Sequence, residues 1–309
     1  MKISTVIPCY GAPNTLPLLY EQLTSVFKDL NCDYEIILIN DCCPQGSWQK
    51  ILDISTYDKK VKGINLSRNF GQHAAISCGL DHAQGDWVIV MDCDLQDDPM
   101  YIKNLIHMTS KGYQVVQAKR TYRDERWFKK LQSWAFYKFL KLVLDVHMDY
   151  RVGNYGIYSK TVIKSIRSMG DKVRFFPYLV SWVGFPHAFI EITQKSRIEG
   201  KSSYSLYKSL HLAFDIAISS SGRPLIWSVF TGAICSLGSF FLGIFFFIRY
   251  FSLGLAPSGW TSLSVTIFFS TGIILSSLGT LGLYLLRVYD QTKERPVYLI
   301  QQSTNIYSS

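Results

Sequence analysis

The chain has 309 residues, enough for one large or two medium domains, and 48% of them are hydrophobic, only slightly above a soluble average. That average conceals a division: residues 224–248 and 250–286 contain no charged side chain, while nearly all of the 32 basic and 23 acidic residues precede Pro224. Uniform solubility is excluded, and the net charge of +9 is read as attraction to anionic lipid and not to nucleic acid, because basic segments are interleaved with aromatics and no nucleic-acid motif is present. The seven cysteines are odd in number and lack Cys-x-x-Cys or Cys/His spacing, which predicts a reducing compartment without structural zinc.

In chain order, residues 3–8 form a short β-branched run stopped by Pro8, and residues 14–28 carry apolar side chains at helical spacing (Leu16, Leu19, Leu23, Val26, Phe27). A second buried-strand pattern at 34–39 ends in Asn40-Asp41, followed by a helix at 47–54 and a third strand at 61–66. Residues 74–83 suit a helix, and residues 87–91 a strand stopping at Asp92. Such alternation predicts an α/β fold with a mostly parallel sheet covered by helices, its ligands bound outside the carboxyl ends of the strands. Pro8, Asp41 and Asp92 all fall at such ends.

Asp92-Cys93-Asp94 sets two carboxylates two residues apart just past a buried strand, where a turn can aim both at one point. Hard oxygen ligands beside a diphosphate suit Mg²⁺ or Mn²⁺. Paired aspartates also serve as ordinary caps and turns, but the strand-end position and the neighbouring Gln96, Asp97 and Asp98 make this loop too acidic to be only a cap. The loop Ser67-Arg68-Asn69-Phe70-Gly71-Gln72-His73 would lie beside the same pocket, with Gly71 permitting a left-handed turn; a plain strand-to-helix connection explains the same residues, and His73 is read as structural.

Residues 126–144 place basic groups near helical spacing among Trp127, Trp134 and Phe139, the signature of a helix lying in a membrane interface, and residues 204–218 are a second such segment. Residues 194–207 read as a mobile basic loop. Each uncharged stretch exceeds the roughly 20 residues needed to cross a ~30 Å hydrocarbon core, giving a hairpin of two transmembrane helices near 226–248 and 263–286. Lys201, Lys208 and Arg223 precede it and Arg287, Lys293 and Arg295 follow it, against Arg249 alone on the turn side, so both ends are expected in the cytosol. Met1-Lys2 runs directly into residues 3–7, too short for a signal h-region, which leaves insertion to these spans. The expected division is a front domain at 1–200, a juxtamembrane amphipathic helix at 201–223, and at 224–309 the hairpin with a short cytosolic tail. Gly272, Ser276, Gly279 and Thr280 would let helices approach closely, as in a homo-oligomer.

Several motifs recur together in family order: Val6-Ile7-Pro8-Cys9-Tyr10, Asn40-Asp41, Ser67-Arg68-Asn69-Phe70-Gly71, Met91-Asp92-Cys93-Asp94-Leu95-Gln96-Asp97, Arg174-Phe175 with Trp182-Val183-Gly184-Phe185, and Arg197-x-x-Gly200-x-Ser202-x-Tyr204. On these the chain resembles, over essentially its whole length, the family-two glycosyltransferases of GT-A fold, and within them the polyprenyl-phosphate glycosyltransferases related to dolichyl-phosphate mannose synthase and the bactoprenol glucosyltransferases. The resemblance implies an inverting transferase of the inner membrane that moves a sugar from a sugar-nucleotide donor to polyprenyl phosphate for cell-surface glycan synthesis. It further implies that Pro8, Tyr10, Asp41, Asn69, Asp92 and Gln96 bind the nucleotide sugar and that Asp92 and Asp94 are catalytic, holding the Mg²⁺ or Mn²⁺. Arg120, Ser133, Arg197 and Ser202 would meet the acceptor phosphate.

Three departures bear on donor identity: Tyr10-Gly11-Ala12 replaces the usual Tyr-Asn-Glu, Asn40-Asp41 the usual paired aspartates, and Gly153-Asn154-Tyr155-Gly156 the usual Gly-Asp-Phe-Arg. A donor other than the usual glucose or mannose nucleotides is expected. Members acting on sugar hydroxyls carry a Glu-Asp base where this chain reads Ser181-Trp182-Val183-Gly184. A phosphate acceptor is already anionic near neutral pH and needs no base, whereas a hydroxyl of a lipid-linked oligosaccharide or polysaccharide, the alternative acceptor, would need one.

Overall fold

The computed structural model describes residues 1–11, 13–121, 138, 143, 149, 151–172, 174–193, 218, 221–253 and 259–306. The elements are β1 (Lys2–Cys9), α1 (Thr15–Asp29), β2 (Asp33–Asn40), α2 (Ser47–Tyr57), β3 (Val61–Leu66), α3 (Gln72–His82), β4 (Trp87–Val90), a 3₁₀ turn (Pro99–Tyr101), α4 (Ile102–Thr109), β5 (Val115–Arg120), β6 (Val152–Ser159), α5 (Lys160–Ser168), α6 (Phe176–Trp182), β7 (His187–Ile192), α7 (Arg223–Leu253), α8 (Trp260–Thr292) and β8 (Ile300–Thr304).

The eight strands form one sheet in the order β7-β5-β6-β4-β1-β2-β3-β8. β1, β2, β3 and β4 run parallel, as their β-branched, doubly buried runs require, and β5 is parallel to β7. β6 is antiparallel to both β4 and β5, and β8 is antiparallel to β3, so the sheet is mixed beyond its parallel centre. Because β2 leaves β1 on one side and β4 pairs on the other, the chain reverses its direction of winding at β1, and the carboxyl ends of β1 and β4 flank this switch point, the place where sheets of this kind bind their ligands.

The helices follow from their stripes. α1 buries Leu16, Leu19, Leu23, Val26 and Phe27, the spacing that gives a helix one apolar side. α3 approaches β1 and β2 closely at Gly79, where a Cβ would overlap Val6 and come within 2.7 Å of Ile39. Burying side chains such as Leu23 and Phe27, each 0–1% exposed, makes truncation there cost about 2–5 kcal/mol.

The chain divides into two compact units, one comprising the sheet and its helices, the other α7 and α8. The two long helices contain apolar spans at Arg223–Arg249 and Val265–Thr292, with mean hydropathy 2.0 and 1.6, long enough to cross a membrane and with none of their most apolar stretch buried inside the chain. They pack on each other, and Tyr284 Oη donates to the Ser221 carbonyl at 2.6 Å. The segment after α8 belongs to the first unit: the stretch read from sequence as a short tail supplies β8, the edge strand beside β3. Its residues are mostly exposed, so no alternation of apolar and polar side chains announced it. Among the expected features, the 126–144 and 204–218 segments (apart from Lys138, Val143 and Ile218), the 194–207 loop, Ala12, Ser133, Arg197 and Ser202 lie outside the described residues.

Candidate active site

Of the residues that sequence reasoning singled out, Pro8, Tyr10, Asp41, Asp92, Asp94 and Gln96 follow the carboxyl ends of β1, β2 and β4, Asn69 lies after β3 and Arg120 ends β5. β1 delivers Pro8, buried, and Tyr10, 48% exposed, at its carboxyl end. β2 delivers Asp41, whose carboxylate has a defined occupation: Oδ1 accepts the Phe70 N–H at 2.7 Å and Oδ2 the Gly71 N–H at 2.9 Å. Burial pushes the Asp41 pKa up against these two donors. Asp41 thus holds the loop after β3 at the start of α3, where Gly71 has φ +94°, and leaves Asn69 exposed on that loop. A nucleotide base would meet a carboxylate already engaged by backbone.

The acidic loop follows β4 and is pinned from every side. The Thr15 hydroxyl donates to the Cys93 carbonyl at 2.6 Å, tying the loop to the start of α1, and the Tyr155 hydroxyl donates to the Asp98 carbonyl at 3.0 Å, tying it to β6. Leu95 adopts φ +58°, a left-handed turn that lets Asp94 Oδ1 accept the Gln96 N–H at 3.1 Å. Gln72 Nε2 donates to Asp92 Oδ1 at 2.7 Å, and the Asn154 side chain hydrogen-bonds Asp92 as well. Burial, and then the charges of Asp97 and Asp94, push the Asp92 pKa up to about 6, while Arg120 and Asn154 pull the other way.

Arg120 lies at the end of β5, with Nη2 3.2 and 3.0 Å from the two oxygens of Asp97. Its assignment to the acceptor phosphate is therefore complicated by a prior commitment, since a phosphate there would share the guanidinium with Asp97. Gly153 faces this group, and a Cβ at that position would come within 3.2 Å of Nη2. The three residues that sequence reasoning left without a role, Gln72, Asn154 and Asp97, are those that orient or balance the aspartates. Each sat inside a quoted motif, but a hydrogen bond from the head of α3 to the end of β4 has no local signal. His73 fits its structural reading: burial drives its pKa down to about 4, its ring nitrogens have no hydrogen-bond partner among the described residues, and its ring meets Phe175 edge-on at 5.0 Å.

Asp92, Asp94 and Asp97, three of the four carboxylates of this loop, lie within the field of the buried Arg120 guanidinium, and Asp92 is pushed toward protonation by burial and then by the other two. That donor set suits a hard divalent cation. Among the described residues no group of three or more His, Cys, Asp or Glu side chains could hold a metal ion by itself. Asp92 and Asp94 offer two side chains, the number with which Mg²⁺ is commonly held when a substrate diphosphate supplies further oxygens.

Comparison with known proteins decides the family, because the model described as Glycosyl transferase family 2 matches residues 4–167, from within β1 to beyond β6. The chain belongs to glycosyltransferase family 2. This glycosyltransferase, with its GT-A arrangement, is similar over its whole length to curated relatives. An uncharacterized glycosyltransferase of Synechocystis is 34% identical over 302 residues, covering 97% of this chain and 95% of the relative. The bactoprenol glucosyl transferase of Shigella phage SfII is 33% identical over 307 residues, 98% of each chain. The undecaprenyl-phosphate 4-deoxy-4-formamido-L-arabinose transferase of Aeromonas hydrophila is 32% identical over 307 residues, covering 97% of this chain and 93% of its own.

Proposed function

We propose that this glycosyltransferase moves a sugar from a nucleoside-diphosphate sugar to polyprenyl phosphate, with inversion, at the cytosolic face of a membrane. The observation that carries the reading is the extent of the likeness. Relatives named for bactoprenol and undecaprenyl-phosphate transfer match 97–98% of the chain, so the likeness extends over the two apolar helices as well as the domain before them. The two apolar helices would hold the enzyme where such an acceptor resides.

In this reading Pro8 and Tyr10 line the base pocket and Asp41 fixes the loop that closes it. Asp92 and Asp94 would hold Mg²⁺ or Mn²⁺. When bound, the cation neutralises charge on the departing nucleoside diphosphate. Gln72 and Asn154 keep the Asp92 carboxylate aimed, and the ties from Thr15 and Tyr155 spare the loop any reorganisation during reaction. The acceptor phosphate, already an anion, attacks the anomeric carbon in line, so the absence of a carboxylate from Ser181 to Gly184 suits the step. Arg197, Ser133 and Ser202 are proposed to orient that phosphate, with Arg120 contributing while it balances Asp97.

Purified full-length protein in lipid, given undecaprenyl phosphate and a panel of sugar nucleotides, is expected to form a glycolipid labile to mild acid with one of them. Activity on a hydroxyl acceptor, with none on free polyprenyl phosphate, would decide for transfer to a lipid-linked oligosaccharide or polysaccharide instead.

A further inference from the structure

Three side-chain amides connect β8 to the loop after β2, and their polarity can be deduced. The Cys43 backbone N–H can only donate, and it donates to Asn40 Oδ1 at 3.3 Å. This turns Asn40 Nδ2 toward β3, where it donates to Asn65 Oδ1 at 2.7 Å. The Asn65 amide then presents Nδ2 to β8 and donates to Gln301 Oε1 at 3.3 Å. Asn40 and Asn65 are register partners, 2% and 9% exposed, so their link is sheltered from water. At the far end, the Cys43 thiol accepts the Gly11 N–H at 3.2 Å and the Gln45 N–H at 3.4 Å. The Gly11 turn, with φ +75°, immediately follows Tyr10.

Gln301, itself exposed, meets Asn65 where β8 is irregular. Asn65 is opposite Gln302 and Leu66 opposite Ile300, which leaves Gln301 the extra residue of a bulge. Bulges redirect a side chain that regular pairing would aim elsewhere. The residue at 40 fits the same logic, since an aspartate there could accept from Cys43 but not donate to Asn65.

We propose that Gln301 is a positioning residue of the donor site, acting through Asn65 and Asn40 to set the Cys43 loop and the Gly11 turn behind Tyr10. This rests on the reading above that Tyr10 lines the nucleotide pocket. Gln301→Leu removes the terminal acceptor. Gln301→Glu keeps an acceptor for Asn65 Nδ2 and should rescue. Asn40→Asp can be accommodated only if Asn65 and Gln301 both reverse their amides, which Gln301→Glu forbids, so Asn40→Asp combined with Gln301→Glu should be worse than the sum of its parts.

The test uses the full chain in detergent and two measurements. The first is hydrogen exchange of the Gly11 and Cys43 amides, which needs no substrate; it should accelerate in Gln301→Leu and in the double variant and return toward wild type in Gln301→Glu, with β1 core amides unchanged. The second is steady-state kinetics with whichever sugar nucleotide is turned over: the donor KM should rise about threefold in Gln301→Leu and about tenfold in the double variant, with kcat and the acceptor KM held within about twofold. Unchanged Gly11 and Cys43 exchange in Gln301→Leu would overturn the relay. A loss confined to kcat would overturn its positioning role. Accelerated exchange together with no turnover by wild type across the donor panel would uphold the relay and bring down the functional reading on its own.

Discussion

Arg120 and Asp97 form an ion pair at 3.0 Å with side chains only 13% and 1% exposed, tying the end of β5 to the loop that also carries Asp92 and Asp94. Removing the cation would strand a buried carboxylate beside two others. Arg120→Ala is expected to cost about 3–5 kcal/mol, and Arg120→Lys less, because the charge survives while the contact to both oxygens does not. Gly153→Ala should press on the same guanidinium, since a Cβ there meets it at 3.2–3.3 Å, and because Asp97 holds that group the variant is expected to lose about 1 kcal/mol. Thermal unfolding of the full chain in detergent measures all three; an Arg120→Ala variant as stable as wild type would show that the pair contributes nothing.

Asp94→Asn and Asp92→Asn are expected to lower turnover by more than about 100-fold, because several kcal/mol of charge stabilisation at the leaving diphosphate is lost. Both should shift the unfolding temperature little, because the hydrogen-bonded contact of Arg120 is with Asp97, and Asp92 and Asp94 add only longer-range attraction to it. Mn²⁺ binding to wild type and variants, measured calorimetrically with nucleoside diphosphate present, separates loss of the ion from loss of chemistry. Full turnover by Asp94→Asn would remove the metal role.

Cys42 stands at φ +52° between the fixed Asp41 and Cys43, a left-handed conformation that costs a residue with a Cβ about 1–2 kcal/mol. Glycine avoids that cost but loses more freedom on folding. Cys42→Gly should therefore stabilise the chain by about 0.5–1 kcal/mol, read as a small rise in unfolding temperature. A fall would mean that the exposed thiol makes a contact of its own.

Glu35, 3% exposed, joins β1, β2 and β3 near their amino ends: Lys62 Nζ lies 2.8 Å from Oε2, and Oε1 accepts from the Ser4 hydroxyl at 2.6 Å and the Gln84 N–H at 2.7 Å. Burial alone would raise its pKa, but the Lys62, Ser4 and Gln84 donors outweigh burial and leave it lowered. A depressed folded-state pKa contributes stability that is fully present above the unfolded value, about 4.3, and is lost as pH falls through the folded one. The stability gap between wild type and Glu35→Gln should be constant near neutrality and close below about pH 4.3. A gap that persisted at lower pH would place the effect in packing.

The front half of the fold was legible because each element is a buried run or a one-sided stripe. Val61–Leu66 coincides with its predicted limits, and α3 starts two residues early, at Gln72, because Gly71 turns the chain into it. β8 was not legible, since exposed edge strands carry no hydrophobic period. Of the site, the acidic loop and the two strand-end residues were readable from type and spacing. Their supports were not, because Gln72, Asn154 and Asp97 act across distances that only the folded sheet creates. The exchange of aspartate for asparagine at 40 was read through donor identity, yet its side chain is buried and turned to Asn65, so its direct consequence falls on β3.

The place of β8 in the chain has a consequence for biosynthesis. Strands β1 to β7 leave the ribosome before either long helix, but the strand that covers the β3 edge is made only after both. A chain halted within the hairpin would hold every aspartate of the acidic loop and still present β3 as an open edge, the kind that pairs with foreign strands. Completion of the sheet thus reports that translation has passed the hairpin, and a nascent chain that never gets there is exposed to aggregation or proteolysis before it can act.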